Sequence, residues 1–151
     1  MNKTNDSIDS KDIFNLNRFY NAQATTYQGV LRELKNGRKQ SHWMWYIFPQ
    51  LDGLGKSETA KFYAIKSIRE AVAYLNHPIL GARLLECANT LLEINNKTAR
   101  EIFGYPDDLK LKSSMTLFSE IAPKSVFVQV LDQYFQSQRD LRSLLILEQL
   151  K

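Results

Sequence analysis

Two short stretches of this chain carry side chains able to bind a ligand or move a proton. The first is Ser41-His42-Trp43-Met44-Trp45, followed by Gln50 just after Pro49. An imidazole beside two indoles can act as an acid or base set in an apolar wall, where burial moves its pKa. The indole faces of Trp43 and Trp45 offer stacking surfaces for a base, a nicotinamide or a sugar. Gln50 precedes the glycine-rich run Leu51-Asp52-Gly53-Leu54-Gly55. A side-chain amide on such a loop can read a ligand's donors and acceptors. Each feature also has a plainer reading. The rings can be core, His42 can satisfy backbone groups, and Gln50 can brace its own turn.

The second stretch is Lys110, Ser113, Ser114 and Leu117. Lys110 and Ser113 are three residues apart, which puts them side by side on a helix. An ammonium next to hydroxyls can hold a phosphate or a carboxylate. No His or Asp is placed by the sequence to complete a serine triad. The candidate ligand-binding set is therefore His42, Trp43, Trp45, Gln50, Lys110 and Ser113, and no residue is assigned a catalytic role. This set requires the two stretches to meet in space. A lesser candidate, Tyr20, Gln23 and Tyr27, lines up polar tips on one helix face.

Known chemistry-bearing motifs are missing. There is no Walker A loop, no GxGxxG and no HExxH. His42 and His77 are the only histidines and lack metal-ligand spacing, so no metal and no cofactor are expected. Cys87 is the single cysteine, which rules out an intramolecular disulfide and points to a reducing compartment. On its apolar stripe it reads as an inert core residue. The N-terminus is polar, with no secretory core segment. No apolar run approaches the ~20 residues that span a bilayer. The expectation is a soluble cytoplasmic protein.

The formal net charge is +4, and most of the excess is local. Residues 1–40 carry seven basic and four acidic side chains, with Arg32, Lys35, Arg38 and Lys39 clustered near one helix end. Cations there complement the helix dipole, and they could also meet a nucleic-acid phosphate.

These residues must be positioned by helices. The chain is 151 residues long, which suits one domain. Residues 1–12 read as a polar, disordered lead-in. Residues 13–151 read as one compact all-α globular domain of about seven helices, with the aromatic segment and glycine loop between the first and second. Phe19, Gln23, Tyr27, Val30, Leu31 and Leu34 recur at helical spacing and predict one helix from about Leu16 to Asn36-Gly37. The aromatic segment itself has no clear period. It allows a short helix up to Ile47 or a short strand at Tyr46 to Phe48. Further helices are predicted from Ser57 through Phe62, Tyr63 and Ile65, from Ile68 to Leu75, after Pro78, from Thr98 to Phe103, from Pro106-Asp107, from a Ser125 cap, and from Asp140.

Several blocks together carry a family resemblance: SHWMWYIFPQ with LDGLGKS, Tyr63-Ala-Ile65, YLNHPILGARLLEC and DLKLKSSMTLF. In this order and spacing they resemble a family of small uncharacterised bacterial proteins, similar to a mycobacterial hypothetical protein of known structure and often labelled "calpastatin". The match runs from about Phe14 to Leu145 and implies an all-helical fold. It implies no activity, cofactor or catalytic residue. The family blocks fall on His42, Trp43, Trp45, Pro49, Gln50, Lys110, Ser113 and Thr116. An extended protease inhibitor would be polar and poor in rings, whereas this chain has two Trp, seven Tyr and eight Phe. Three functional readings follow. The leading one is a small-molecule or nucleotide ligand in a polar-aromatic pocket. The second is a protein-interaction module, its partner unidentified, whose aromatic segment is core. The third, ranked last, is a weak nucleic-acid binder using the basic helix end.

Overall fold

The computed structural model describes residues 11–151. Of the expected lead-in, all but Lys11 and Asp12 lies outside the described residues. Asp12 precedes the first helix and is tied to its start, where its carboxylate accepts from the backbone N–H of Leu16 and Asn17, both at 2.8 Å.

Ten helices occur among the described residues, rather than about seven. In chain order they are α1 (Asn17–Ala24), α2 (Tyr27–Lys35), α3 (Met44–Ile47), α4 (Glu58–Tyr63) and α5 (Ile68–Asn76), then α6 (Leu80–Leu92), α7 (Ala99–Phe103), α8 (Asp107–Ile121), α9 (Val126–Phe135) and α10 (Leu141–Leu150). The first expected helix is two, broken at Thr25-Thr26. The Thr26 hydroxyl donates to Ala22 O at 2.7 Å, a bond that competes with the helix ladder and bends the chain. The aromatic segment adopts a helix of its own, α3, and lies between α2 and α4.

Ile65 is not helical. Its N–H donates to Gln50 O at 2.9 Å and its carbonyl accepts from Asp52 N–H at 2.8 Å, forming an isolated parallel bridge between Leu51 and Ile65. That pairing takes a β-branched residue out of the helix pattern and lets Ser67 restart it, its side chain accepting from Glu70 N–H. Ser125 precedes α9, but its hydroxyl donates back to Ala122 O and makes no cap. Thr98 and Glu101 form a reciprocal capping box on α7, which Gly104 ends.

The core is organised on α8. Residues 113–119 are all buried, and α8 packs against α3, α5, α7, α9 and α10. Two ring networks run through this core. Phe19, Tyr74, Phe118 and Phe127 meet in sequence, edge-on and then tilted, at 5.0, 5.8 and 5.6 Å between centroids. Trp43, Phe48 and Phe103 form a triangle with sides of 6.0–6.3 Å.

A buried ion pair ties α1 to α5. Arg18 Nη2 lies 2.6 Å from Glu70 Oε2, with the side chains 6% and 4% exposed. The guanidinium also donates to the carbonyls of Phe14, Asn15, Phe62 and Ala64. A paired, fully hydrogen-bonded Arg can be buried where a bare charge could not. The polar tips of Gln23 and Tyr27 are absorbed in a seam with α3, α5 and α6, where the Tyr20 ring also packs. Gln23 donates to Tyr46 O and to the Tyr74 hydroxyl, and the Arg83 guanidinium lies 4.7 Å from the Tyr27 ring and 5.9 Å from that of Tyr20. No helix among the described residues is long and apolar enough to cross a membrane.

Candidate functional site

Two lysines, one aspartate and two tryptophans connect the stretches singled out in the sequence. Asp107 begins α8, where a negative charge is favoured by the helix dipole. Its Oδ2 pairs with Lys39 Nζ at 2.8 Å and its Oδ1 with Lys110 Nζ at 3.3 Å. Lys39 Nζ lies 5.1 Å from the Trp43 ring centroid, and Lys110 Nζ lies 5.2 Å from that of Trp45. Each indole thus faces an ammonium held by the same carboxylate, an arrangement in which ion pair and ring quadrupole act together. Lys39 departs from its sequence reading. Its side chain is only 6% exposed, so the basic cluster keeps Arg32, Lys35 and Arg38 as its exposed members.

Trp43 is core, and its indole N–H donates to Glu33 Oε1 at 2.9 Å. The same oxygen accepts from Gln40 N–H at 2.7 Å and Ser41 N–H at 3.0 Å, while Oε2 accepts from the Ser41 hydroxyl at 2.6 Å. Partial burial alone would raise the Glu33 carboxyl pKa. The four donors outweigh that cost and lower it to about 2. Glu33 is therefore the clamp that fixes the entry of the aromatic segment onto α2.

Gln50, Lys110 and Ser113 line one cleft of about 380 Å³. Ser113 is buried and donates to Leu109 O at 3.1 Å, one turn back on α8. Gln50 is held through its backbone carbonyl by Ile65, and its side-chain amide makes no hydrogen bond among the described residues. The glycine loop closes one rim. A Cβ at Gly55 would stand 2.5 Å from Ala60 Cβ and 3.5 Å from Gln50 Nε2, so only glycine lets the loop lie this close to α4. Arg142 and Asp140, from the start of α10, complete the cleft. Arg142 Nη2 donates to Gly53 O at 3.1 Å and so ties the loop to α10.

His42 lies elsewhere. It is exposed and lines a different cleft of about 450 Å³ with Trp43, Tyr46 and Arg32. No residue lines both clefts. The structure therefore brings Gln50, Lys110 and Ser113 together, places Trp45 beside Lys110, and leaves His42 and Trp43 apart from them. Sequence reasoning missed Asp107, Glu33, Asp140 and Arg142. Asp107 had a usable signal, an acid in the first turn of a helix. Arg142 had none, because its neighbours come from distant parts of the chain.

Residues 13–147 match the family model described as "Protein of unknown function (DUF1810)". The chain belongs to this family. Its backbone also superimposes on the crystal structure of the conserved hypothetical protein Rv1873 from Mycobacterium tuberculosis, with a TM-score of 0.89 and 48% identity. The similarity covers 91% of this chain and 99% of the mycobacterial one. No curated protein matches. The all-helical fold implied by the resemblance is thus the fold of the family, while the chemistry of the cleft must be read from its own side chains.

Proposed function

We propose that this protein binds a small molecule, nucleotides included, in the cleft formed by Gln50, Lys110 and Ser113. The observation that carries this reading is convergence. An amide from the loop before α4 and a cation–hydroxyl pair from α8 share one cavity. Its size, about 380 Å³, falls within the roughly 300–1,000 Å³ of small-molecule sites. Leu54, Pro106 and Leu109 supply apolar wall, and a few polar groups supply orientation.

The test is a thermal-shift screen of the purified chain against nucleotides, nucleotide sugars and metabolites. A ligand at 100 times its dissociation constant adds about 2.7 kcal/mol to stability. The shift is expected to disappear in Gln50→Ala and Ser113→Leu and to survive in His42→Ala. The opposite pattern would move the ligand to the His42 cleft and end this reading.

A further inference from the structure

We infer that the ligand of this cleft carries an oxyanion, a carboxylate or a phosphate, gripped by Lys110 and Arg142. The inference rests on the reading of the cleft as the binding site and adds the chemical class.

Hydrogen-bond donors outnumber acceptors in the cleft. Lys110 has three N–H groups, of which one is directed at Asp107. Arg142 has five, and a single contact, to Gly53 O, is made within the protein. The Gln50 amide brings two more N–H groups with no protein acceptor among the described residues. The acceptors are fewer, namely Gln50 Oε1, the Ser113 oxygen and the free Oδ1 of Asp140. Asp140 is the one carboxylate lining the cleft, and its Oδ2 takes both the backbone N–H of Ser143 at 2.9 Å and the Ser143 hydroxyl at 2.6 Å. It serves as the N-cap of α10. Ser113 donates its hydroxyl hydrogen bond to Leu109 O and has lone pairs only to offer a ligand. Ionised side chains lining the cavity are thus two cations and one anion, and the anion is turned toward a helix end.

A surplus of directed N–H groups is matched by a ligand with several acceptor oxygens. Arg offers a planar fork to such an oxyanion and Lys a point charge. Arg142 is also anchored at one end, because its bond to Gly53 O fixes the guanidinium against the loop before any ligand arrives. The apolar side of Leu54, Pro106 and Leu109 leaves room for an uncharged body behind the oxyanion.

Matched pairs test this by isothermal titration on the full chain. Benzoate against benzamide probes a carboxylate, and AMP against adenosine probes a phosphate. A charge-assisted hydrogen bond contributes about 1.5–3 kcal/mol, so the charged member of a pair should bind at least about tenfold tighter. Lys110→Met and Arg142→Gln should each remove that advantage and leave the neutral member's affinity unchanged. Lys35→Met, on the exposed basic cluster, should leave both unchanged. Circular dichroism melts establish that each variant is folded. Equal affinity within every pair would overturn the oxyanion assignment, and the cleft reading would survive if Gln50→Ala still abolished binding. An equal loss in Lys35→Met would show long-range attraction rather than a cleft and would also overturn it. Binding of neither member of any pair at millimolar concentration would overturn both readings.

Discussion

Glu33→Gln removes one charge and almost nothing else. Three of the four donors that Glu33 accepts converge on Oε1, an oxygen that glutamine keeps. The fourth, the Ser41 hydroxyl on Oε2, can turn to accept from the new amide. The loss therefore isolates the charge assistance of the clamp. The carboxyl is lowered from 4.5 to about 2 in the folded chain. At 1.36 kcal/mol per unit this would be roughly 3 kcal/mol for a fully shielded group, and solvent access to this half-buried carboxylate reduces it to about 1–2 kcal/mol. The sign follows from linkage. A carboxyl whose folded pKa is depressed contributes stability above its unfolded pKa and loses it as pH falls toward the folded value. Urea unfolding of wild type and variant should thus differ by about 1–2 kcal/mol from pH 5 to 7. Less than half of the difference should remain at pH 3, with the two proteins converging near pH 2. A difference that stays constant down to pH 3, or none at pH 7, would refute the clamp.

Three other perturbations have defined outcomes. Arg18→Ala strands the buried Glu70 carboxylate and should cost about 3–5 kcal/mol in urea unfolding, with part of it recovered by adding Glu70→Gln; a cost below about 1 kcal/mol contradicts the burial. Gly81→Ala would place a Cβ 1.9 Å from Leu75 O, so it should destabilise by at least about 3 kcal/mol despite the better helix propensity of alanine. A Gly81→Ala variant as stable as wild type would show that the α5–α6 turn opens to admit a methyl group. Burial pushes the Cys87 thiol up to about 12, so a thiol reagent at pH 8 should modify it only after denaturation. Fast native labelling would mean that the seam around Tyr27 opens.

Much of the fold follows from local rules that a sequence displays directly. The stripe of Leu80, Leu84, Cys87, Ala88 and Leu91 is buried in α6 as its period requires, because one helical face can be read from spacing alone. The Thr98–Glu101 capping box and the Gly104 stop involve residues within a few positions of each other, and they mark α7 where they stand. The same holds for Lys110 and Ser113, neighbours on α8 by spacing.

Tertiary structure alone decided what each face meets. Ile65 leaves its helix because Gln50 and Asp52 offer it backbone partners from another segment. Lys39 reads as one of four surface cations until Asp107 arrives from α8 to neutralise it. The aromatic segment was one candidate in sequence and serves two places in space. The clamp by Glu33 turns Trp43 into core and leaves His42 outside, while Trp45 and Gln50 face the α8 side. The physical reason is common to all of these. Spacing constrains side chains within one element, whereas ion pairs and clefts join elements whose relative placement depends on the packing of the whole core.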